Sequence, residues 1–225
     1  MAEFTGFGKD ALGFFSALAF HQDKAWFDEN REIYERDVGA PMVALLDDLT
    51  AAFARVRIPL KANGKRSMFR IHRDVRFARD KSPYKTHAGA VMTRSGGKDD
   101  PGLLYLHISP EGCFAAAGFY RLEPPALLRV RQAIARGNGK AFGAVTAALA
   151  KARLALDQES QVSRLPRGFE GHKGGPLDGA LRLKSFIVER TLGEKLIRMP
   201  KLTETIVGFA EDALPLLKFG WKALG

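Results

Sequence analysis

Cysteine is almost absent from the chain: Cys113 stands alone, which excludes an intramolecular disulfide framework and any multi-cysteine zinc site and fits a reducing compartment. Long apolar runs are missing too. No 18 residues pass without a charge, and even the apolar C-terminal stretch carries Glu204, Glu211, Asp212 and Lys218, so no membrane-spanning helix is expected. The first twenty residues lack a basic head followed by an apolar stretch and a small-residue cleavage site; no secretory signal is read, and the expected location is the cytoplasm. Cofactor fingerprints are lacking as well. Gly6-Phe7-Gly8 has no third glycine, Gly137-Asn138-Gly139 has its next glycine one place late, and Gly64-Lys65-Arg66-Ser67 lacks the order of a phosphate loop. Histidines 72, 87, 107 and 172 show no paired metal-ligand spacing, and Ser82 and Ser95 sit in no nucleophile elbow. No cofactor and no metal are therefore expected.

Acidic residues are in short supply, 25 against 35 lysines and arginines, for a net charge of +10. A basic balance of this size favours acidic partners. With 225 residues, 46% hydrophobic and 27% charged, the chain has the makeup of an ordinary globular protein with a sizeable core. Residues 8–56 are expected to be helical: Phe14, Phe15, Leu18 and Ala19 recur at helical spacing, and Asp23 can cap a second helix carrying Trp26, Phe27, Ile33 and Tyr34. Gly39 and Pro41 should interrupt it before a third amphipathic helix over 41–56. Residues 68–119 then read as a sheet, with strands at 68–77, 86–93, 103–109 and 114–119 divided by Gly, Pro, Asp and Ser.

The remainder is expected to be helical, one helix starting at Pro124-Pro125 and another capped by Asn138. Residues 163–179 read as a loop, and 180–192 fit a helix or a strand equally. Thr203 can cap a last helix that Pro215 should bend or end. The expected fold class is α+β, a single domain over 1–225 with a mostly antiparallel sheet flanked by amphipathic helices.

The most informative stretch runs from Lys61 to Ala90, where nine cations meet only Asp74 and Asp80, a net of +7; the rest of the chain shares +3. An extended Phe69–Phe77 would put Phe69, Ile71, Val75 and Phe77 on one face with Arg73 among them, and Arg70, His72, Asp74 and Arg76 on the other. Arg73 in apolar company needs a carboxylate, with Asp74 and Asp80 at hand, and its removal would then cost about 3–5 kcal/mol. Three readings stay open at this point. The segment can be a structural ion-pair network of Arg73, Asp74 and Asp80. It can be an anion site in which Arg70, Arg76, Lys81, Tyr84, Lys85, His87 and His107 surround a phosphate or carboxylate. It can also be a basic stripe for nucleic acid in which Phe69, Phe77 and Tyr84 stack on bases, although no helix-turn-helix, zinc-finger or RNP-type motif is present.

The run from Phe69 to His87, Phe-Arg-Ile-His-Arg-Asp-Val-Arg-Phe-Ala-Arg-Asp-Lys-Ser-Pro-Tyr-Lys-Thr-His, resembles the signature of the bacterial and fungal family catalogued as domain of unknown function 2461. Further blocks agree: Trp26-Phe27 with Asn30, Arg31 and Tyr34; Tyr105-Leu106-His107-Ile108-Ser109-Pro110 with Gly118 and Tyr120; and Leu165-Pro166-Arg167-Gly168-Phe169 with Leu181 and Lys184-Ser185-Phe186. The chain departs at Leu122-Glu123, where a proline would stand earlier, and at His172-Lys173-Gly174-Gly175-Pro176, a looser form of the family's acidic-histidine-proline turn. The resemblance implies a single α+β domain and supplies no mechanism. The expected function is binding, with or without turnover, of a small phosphorylated or carboxylated ligand. The alternative is a non-specific nucleic-acid-associated protein that binds weakly through the same basic segment. No membrane partner is expected, and the sequence does not speak to oligomeric state.

Overall fold

The computed structural model describes residues 3–225. The fold is α+β, with one four-stranded antiparallel sheet in the order β1 (Ala88–Thr93), β2 (Leu103–Ile108), β3 (Cys113–Phe119), β4 (Phe186–Leu192). The chain forms two compact units. The first comprises Met1–Lys98, Leu104–Ala115 and Thr191–Gly208; the second comprises Asp99–Leu103, Ala116–Arg190 and Phe209–Gly225. Among the described residues no helix is long and apolar enough to cross a membrane.

In the first unit, α1 (Ala11–Phe20) and α2 (Lys24–Tyr34) are divided by Asp23, whose carboxylate accepts from the Trp26 N–H, the expected cap. Helix α3 (Ala40–Arg55) buries Met42, Leu45, Leu46, Leu49 and Phe53, the apolar stripe that its i, i+3, i+4 spacing predicts. The expected break at Gly39 and Pro41 is absent. A π-turn over Glu35–Gly39 joins α2 to α3 instead, with the Ala40 N–H bonded to the Glu35 carbonyl.

The chemistry of proline explains how this turn is tolerated. Pro41 has no N–H to offer the carbonyl four residues back, that of Asp37. The carbonyl accepts from the Gly8 N–H at 2.9 Å instead. The Asp37 side chain, 6% exposed, takes the Asp10 N–H at 3.1 Å and two N–H groups of Arg36 at 2.6 and 3.1 Å. Gly8 lies so close that a Cβ there would fall 2.2 Å from the Asp37 carboxyl carbon. One buried aspartate thus fastens the N-terminal segment to the helical layer.

The expected strand 68–77 is corrected by the structure: only its first residues pair, through isolated bridges Met68 to Ala90 and His72 to Tyr84, and the sheet proper begins at Ala88. The mainly helical remainder also contains a strand, because Phe186–Leu192 forms β4. The ambiguous 180–192 region is both things in succession, a short helix α6 at Asp178–Arg182 and then the strand.

In the second unit, α4 (Pro124–Ala135) and α5 (Lys140–Lys151) are joined by Gly137, Asn138 and Gly139, all at positive φ. Asn138 supplies no cap; Gly139 takes that place, where a Cβ would meet Leu177 at 2.6 Å. After a short helix α7 (Glu194–Ile197), the last helix α8 (Leu202–Leu224) includes Thr203 rather than being capped by it, and continues past Pro215, which does not end it. A proline inside a helix costs about 3 kcal/mol. Burial of Leu216, Leu217 and Trp221 beyond it is worth about 1.5–3 kcal/mol per large side chain, which outweighs that loss.

Replacing Asp37 with Ala should lower stability by about 1–3 kcal/mol, the cost of leaving the Asp10 N–H without its acceptor. The Arg36 bond holds the Asp37 carboxyl below the usual aspartate value. Its contribution is therefore full above pH 3.8 and lost as pH falls through the depressed value. Denaturant unfolding of the Asp37→Ala protein against wild type, repeated at falling pH, checks both.

Candidate functional site

The signature segment is hung on the helical layer by its aromatic residues. Tyr84 is buried and lies nearly flat on Phe27 of α2, with ring centroids 4.6 Å apart and planes 17° apart. Its N–H donates to the Gln22 side chain at 3.0 Å. His72 packs on both rings, at 5.1 Å from Tyr84 and 6.0 Å from Phe27. Backbone bonds from Arg73 N to Pro83 O, Lys85 N to Ile71 O and Phe69 N to Gly89 O zip the two arms of the segment together. Arg70 alone, between residues 69 and 71, stands opposite residues 86–88, so the pairing carries a bulge. That bulge falls where His87 leaves the seam.

Beyond His72 the segment satisfies itself. Arg73 pairs with Asp80, while Asp74 takes Arg76 through two bonds, at 2.9 Å to Nε and 2.7 Å to Nη2. Asp80 also accepts from the Ser82 N–H at 2.9 Å and the Ser82 hydroxyl at 2.6 Å, and these bonds together with Arg73 hold its carboxyl well below the usual range. The Lys81 ammonium donates to the Val75 carbonyl at 2.9 Å. Arg73 is 32% exposed and Asp80 59%, so their pair lies at the surface. Surface pairs contribute little to stability, and the large loss expected for Arg73→Ala is corrected accordingly.

A second cluster forms where β1 and β2 lie side by side. Along β2 burial alternates, which turns Tyr105 and His107 to the half-exposed face. His107 stacks on Phe114 with centroids 4.6 Å apart and planes 14° apart, and His87 packs against it at 4.4 Å. The Tyr105 hydroxyl lies 3.0 Å from His107 Nδ1. The direction of this bond follows the imidazole tautomer: Nδ1 accepts from the phenol when the ring proton is on Nε2, and donates to the phenol oxygen when it is on Nδ1. Gly89 makes room for this arrangement: a Cβ there would come 2.7 Å from the Tyr105 oxygen.

The electrostatics of the cluster are one-sided. Burial first, then the neighbouring His87, pushes His107 down to about 4, against a smaller opposing pull from Glu111. Burial and Lys85 push His87 down as well. The Lys85 ammonium lies 5.4 Å from the centre of the Phe69 ring and that of Lys98 lies 4.8 Å from it. Burial, then Arg70 and Lys98, lowers Lys85. Among the described residues Lys85 has no carboxylate partner, and no three His, Cys, Asp or Glu side chains gather as a metal site. Two neutral imidazoles beside a group of cations can accept a proton and attract an anion.

Of the residues singled out from sequence, Lys85, His87 and His107 are brought together, with Arg70 near enough to influence Lys85 electrostatically. Arg76 and Lys81 belong to the self-paired loop, and Tyr84 is an anchor in the core. Tyr105, Phe114, Lys98, Gly89 and Gln22 were given no role by sequence reasoning. The two-residue spacing of Tyr105 and His107 on a half-buried strand was the available signal for the first.

The family described as Conserved hypothetical protein (DUF2461) matches residues 10–219. The chain belongs to this family. No curated protein and no solved structure matches it. Within the matched residues, the run from Phe69 to His87 has two structural parts in this chain, one arm that builds the imidazole and lysine cluster and one loop that closes on itself.

A histidine whose folded value is depressed binds its proton more readily in the unfolded chain, so stability falls as pH drops from the ordinary 6.5 toward about 4. The melting temperature of wild type should decline across this window. His107→Phe, which keeps the stacking on Phe114, should flatten the decline, and an identical acid limb in the variant would show that His107 is not depressed.

Proposed function

We propose that the face formed by Lys85, His87, Tyr105 and His107 binds a small phosphorylated or carboxylated ligand, with Arg70 at its edge and a neutral imidazole placed to exchange a proton with it. The observation that carries this reading is Lys85. It is a half-buried cation without a carboxylate partner among the described residues, and its neighbours Arg70 and Lys98 are cations too. A self-repelling arrangement of this kind is relieved by an external anion. Charge-assisted bonds from an ammonium and a guanidinium suit phosphate or carboxylate oxygens, and His87, held below its ordinary 6.5, faces the ligand as a neutral ring able to accept a proton from it.

The chain is read as one functional domain over 1–225, a reading supported by a single family match that spans both compact units. With the protein taken to lie in the cytoplasm, as the sequence leads one to expect, small phosphorylated and carboxylated metabolites are the natural candidates for the ligand.

Thermal melting in the presence of phosphate, sulfate, phosphorylated metabolites and dicarboxylates tests the proposal. At a hundred times its Kd a ligand stabilises by about 2.7 kcal/mol, or about 5–10 °C for a chain of this size. Lys85→Ala should abolish the shift, while Arg76→Ala, which alters only the self-paired loop, should retain it. The reading fails if no anion raises the melting temperature of wild type, or if Lys85→Ala responds as wild type does.

A further inference from the structure

Residues 74–82 form a loop whose polar groups are tied to one another and whose one large apolar side chain is not packed at all. Phe77 is 97% exposed. Asp74 holds Arg76, Asp80 holds Arg73 and Ser82, and Lys81 reaches back to the Val75 carbonyl. The Ala78 N–H meets that same carbonyl at 3.4 Å. A loop that spends this many bonds on its own shape presents Phe77 in a preset position. The Arg76 guanidinium carbon lies 5.9 Å from the centre of the Phe77 ring. Arg79 and Arg70 are exposed on the same stretch, and Arg79 makes no ion pair among the described residues.

We propose that this loop is a docking point for single-stranded nucleic acid, with Phe77 stacking on a base and the flanking cations meeting the phosphates. The partner follows from the chemistry. A protein partner would need an apolar patch around the aromatic anchor, whereas Phe77 is surrounded by charge. A membrane surface is held stably only by two signals or a larger apolar insertion, and the loop offers a single ring. A single strand repeats a π-face and a negative charge at every nucleotide, which matches one ring among cations and requires no base-specific bonds. Of the three aromatics that the sequence offers for stacking, Tyr84 is buried and Phe69 is half-buried beneath Lys85 and Lys98. Phe77 is the accessible one.

The test uses fluorescence anisotropy with labelled twenty-nucleotide oligouridylate and oligothymidylate, and with a blunt duplex of the same length. Single strands should bind more tightly than the duplex, and Phe77→Ala should weaken single-strand binding by about 5- to 150-fold while leaving the melting temperature unchanged. The Phe77→Ala protein should keep the wild-type slope of log affinity against log salt, whereas Arg79→Gln should reduce it by about 0.7. Duplex binding as tight as single-strand binding, or a Phe77→Ala affinity equal to wild type, overturns the proposal. So does capture on phosphatidylserine vesicles that needs Phe77 when no oligonucleotide binds, which would assign the loop to a membrane surface. This inference and the anion site fail separately: Phe77→Ala should leave anion stabilisation intact, and Lys85→Ala should leave the Phe77 dependence intact.

Discussion

The contact of Tyr84 with Phe27 fixes where the signature segment can go. With Tyr84 flat on Phe27 and its N–H committed to Gln22, the returning arm of the segment is set against α2. The backbone bonds at Arg73, Lys85 and Phe69 then determine which residues face each other. The bulge opposite Arg70 carries His87 toward His107 on β2. An aromatic stack is worth about 0.5–1.5 kcal/mol beyond its area, a modest quantity, but here it also sets register, and register decides which side chains share the imidazole cluster. Trp26, Tyr34 and Phe14 surround the same contact, with Phe14 lying 5.7 Å from Trp26 and 5.6 Å from Tyr34, so the first two helices serve as its foundation.

Much of this was legible in the sequence wherever periodicity is long enough to be unambiguous. The stripe of Met42, Leu45, Leu46, Leu49 and Phe53 could only be a helix face, and Asp23 before Trp26 could only start one. Strands β1, β2 and β3 emerged as short, often alternating runs between turn residues, though only β2 alternates in burial. The failures have physical causes. Gly39 and Pro41 look like a break because local propensity says nothing of Gly8, which arrives from elsewhere in the chain to satisfy the carbonyl that the proline abandons. Pro215 looks like a stop because propensity cannot weigh the packing beyond it.

The segment 69–77 is the most instructive error. Its alternation is real: Ile71 is buried, and Arg70, His72, Asp74 and Arg76 are exposed. A period of two nonetheless does not make a strand without a neighbour to accept its bonds. Past His72 the acceptors closest at hand were Asp74, Asp80 and the Val75 carbonyl, and short-range bonds took the backbone away from the ladder. Phe77, the next apolar residue in the alternation, was thereby carried out of the core. The candidate site was legible to about the same depth. Lys85, His87 and His107 could be picked out by type, but their meeting depends on a bulge and on Gly89, and neither has a signature in a single sequence.

The same thirty residues therefore divide their charges in two ways, and the division follows from where carboxylates stand. Asp74 and Asp80 lie within the loop and capture Arg76 and Arg73, the nearest guanidiniums, before any ligand could. The other arm, from Tyr84 onward, has no aspartate or glutamate until Asp99. Glu111, the acid that acts on the imidazoles, is held by the Ser109 hydroxyl at 2.6 Å, and its pull on His87 and His107 is smaller than the effect of burial. Burial removes water from Lys85 and the imidazoles without bringing a carboxylate to Lys85 among the described residues, so the rings stay neutral and the ammonium is disfavoured. The loop from Asp74 to Ser82 is thus closed by its own ion pairs, while the arm from Tyr84 onward brings Lys85 and two imidazoles together with no carboxylate paired to Lys85 among the described residues.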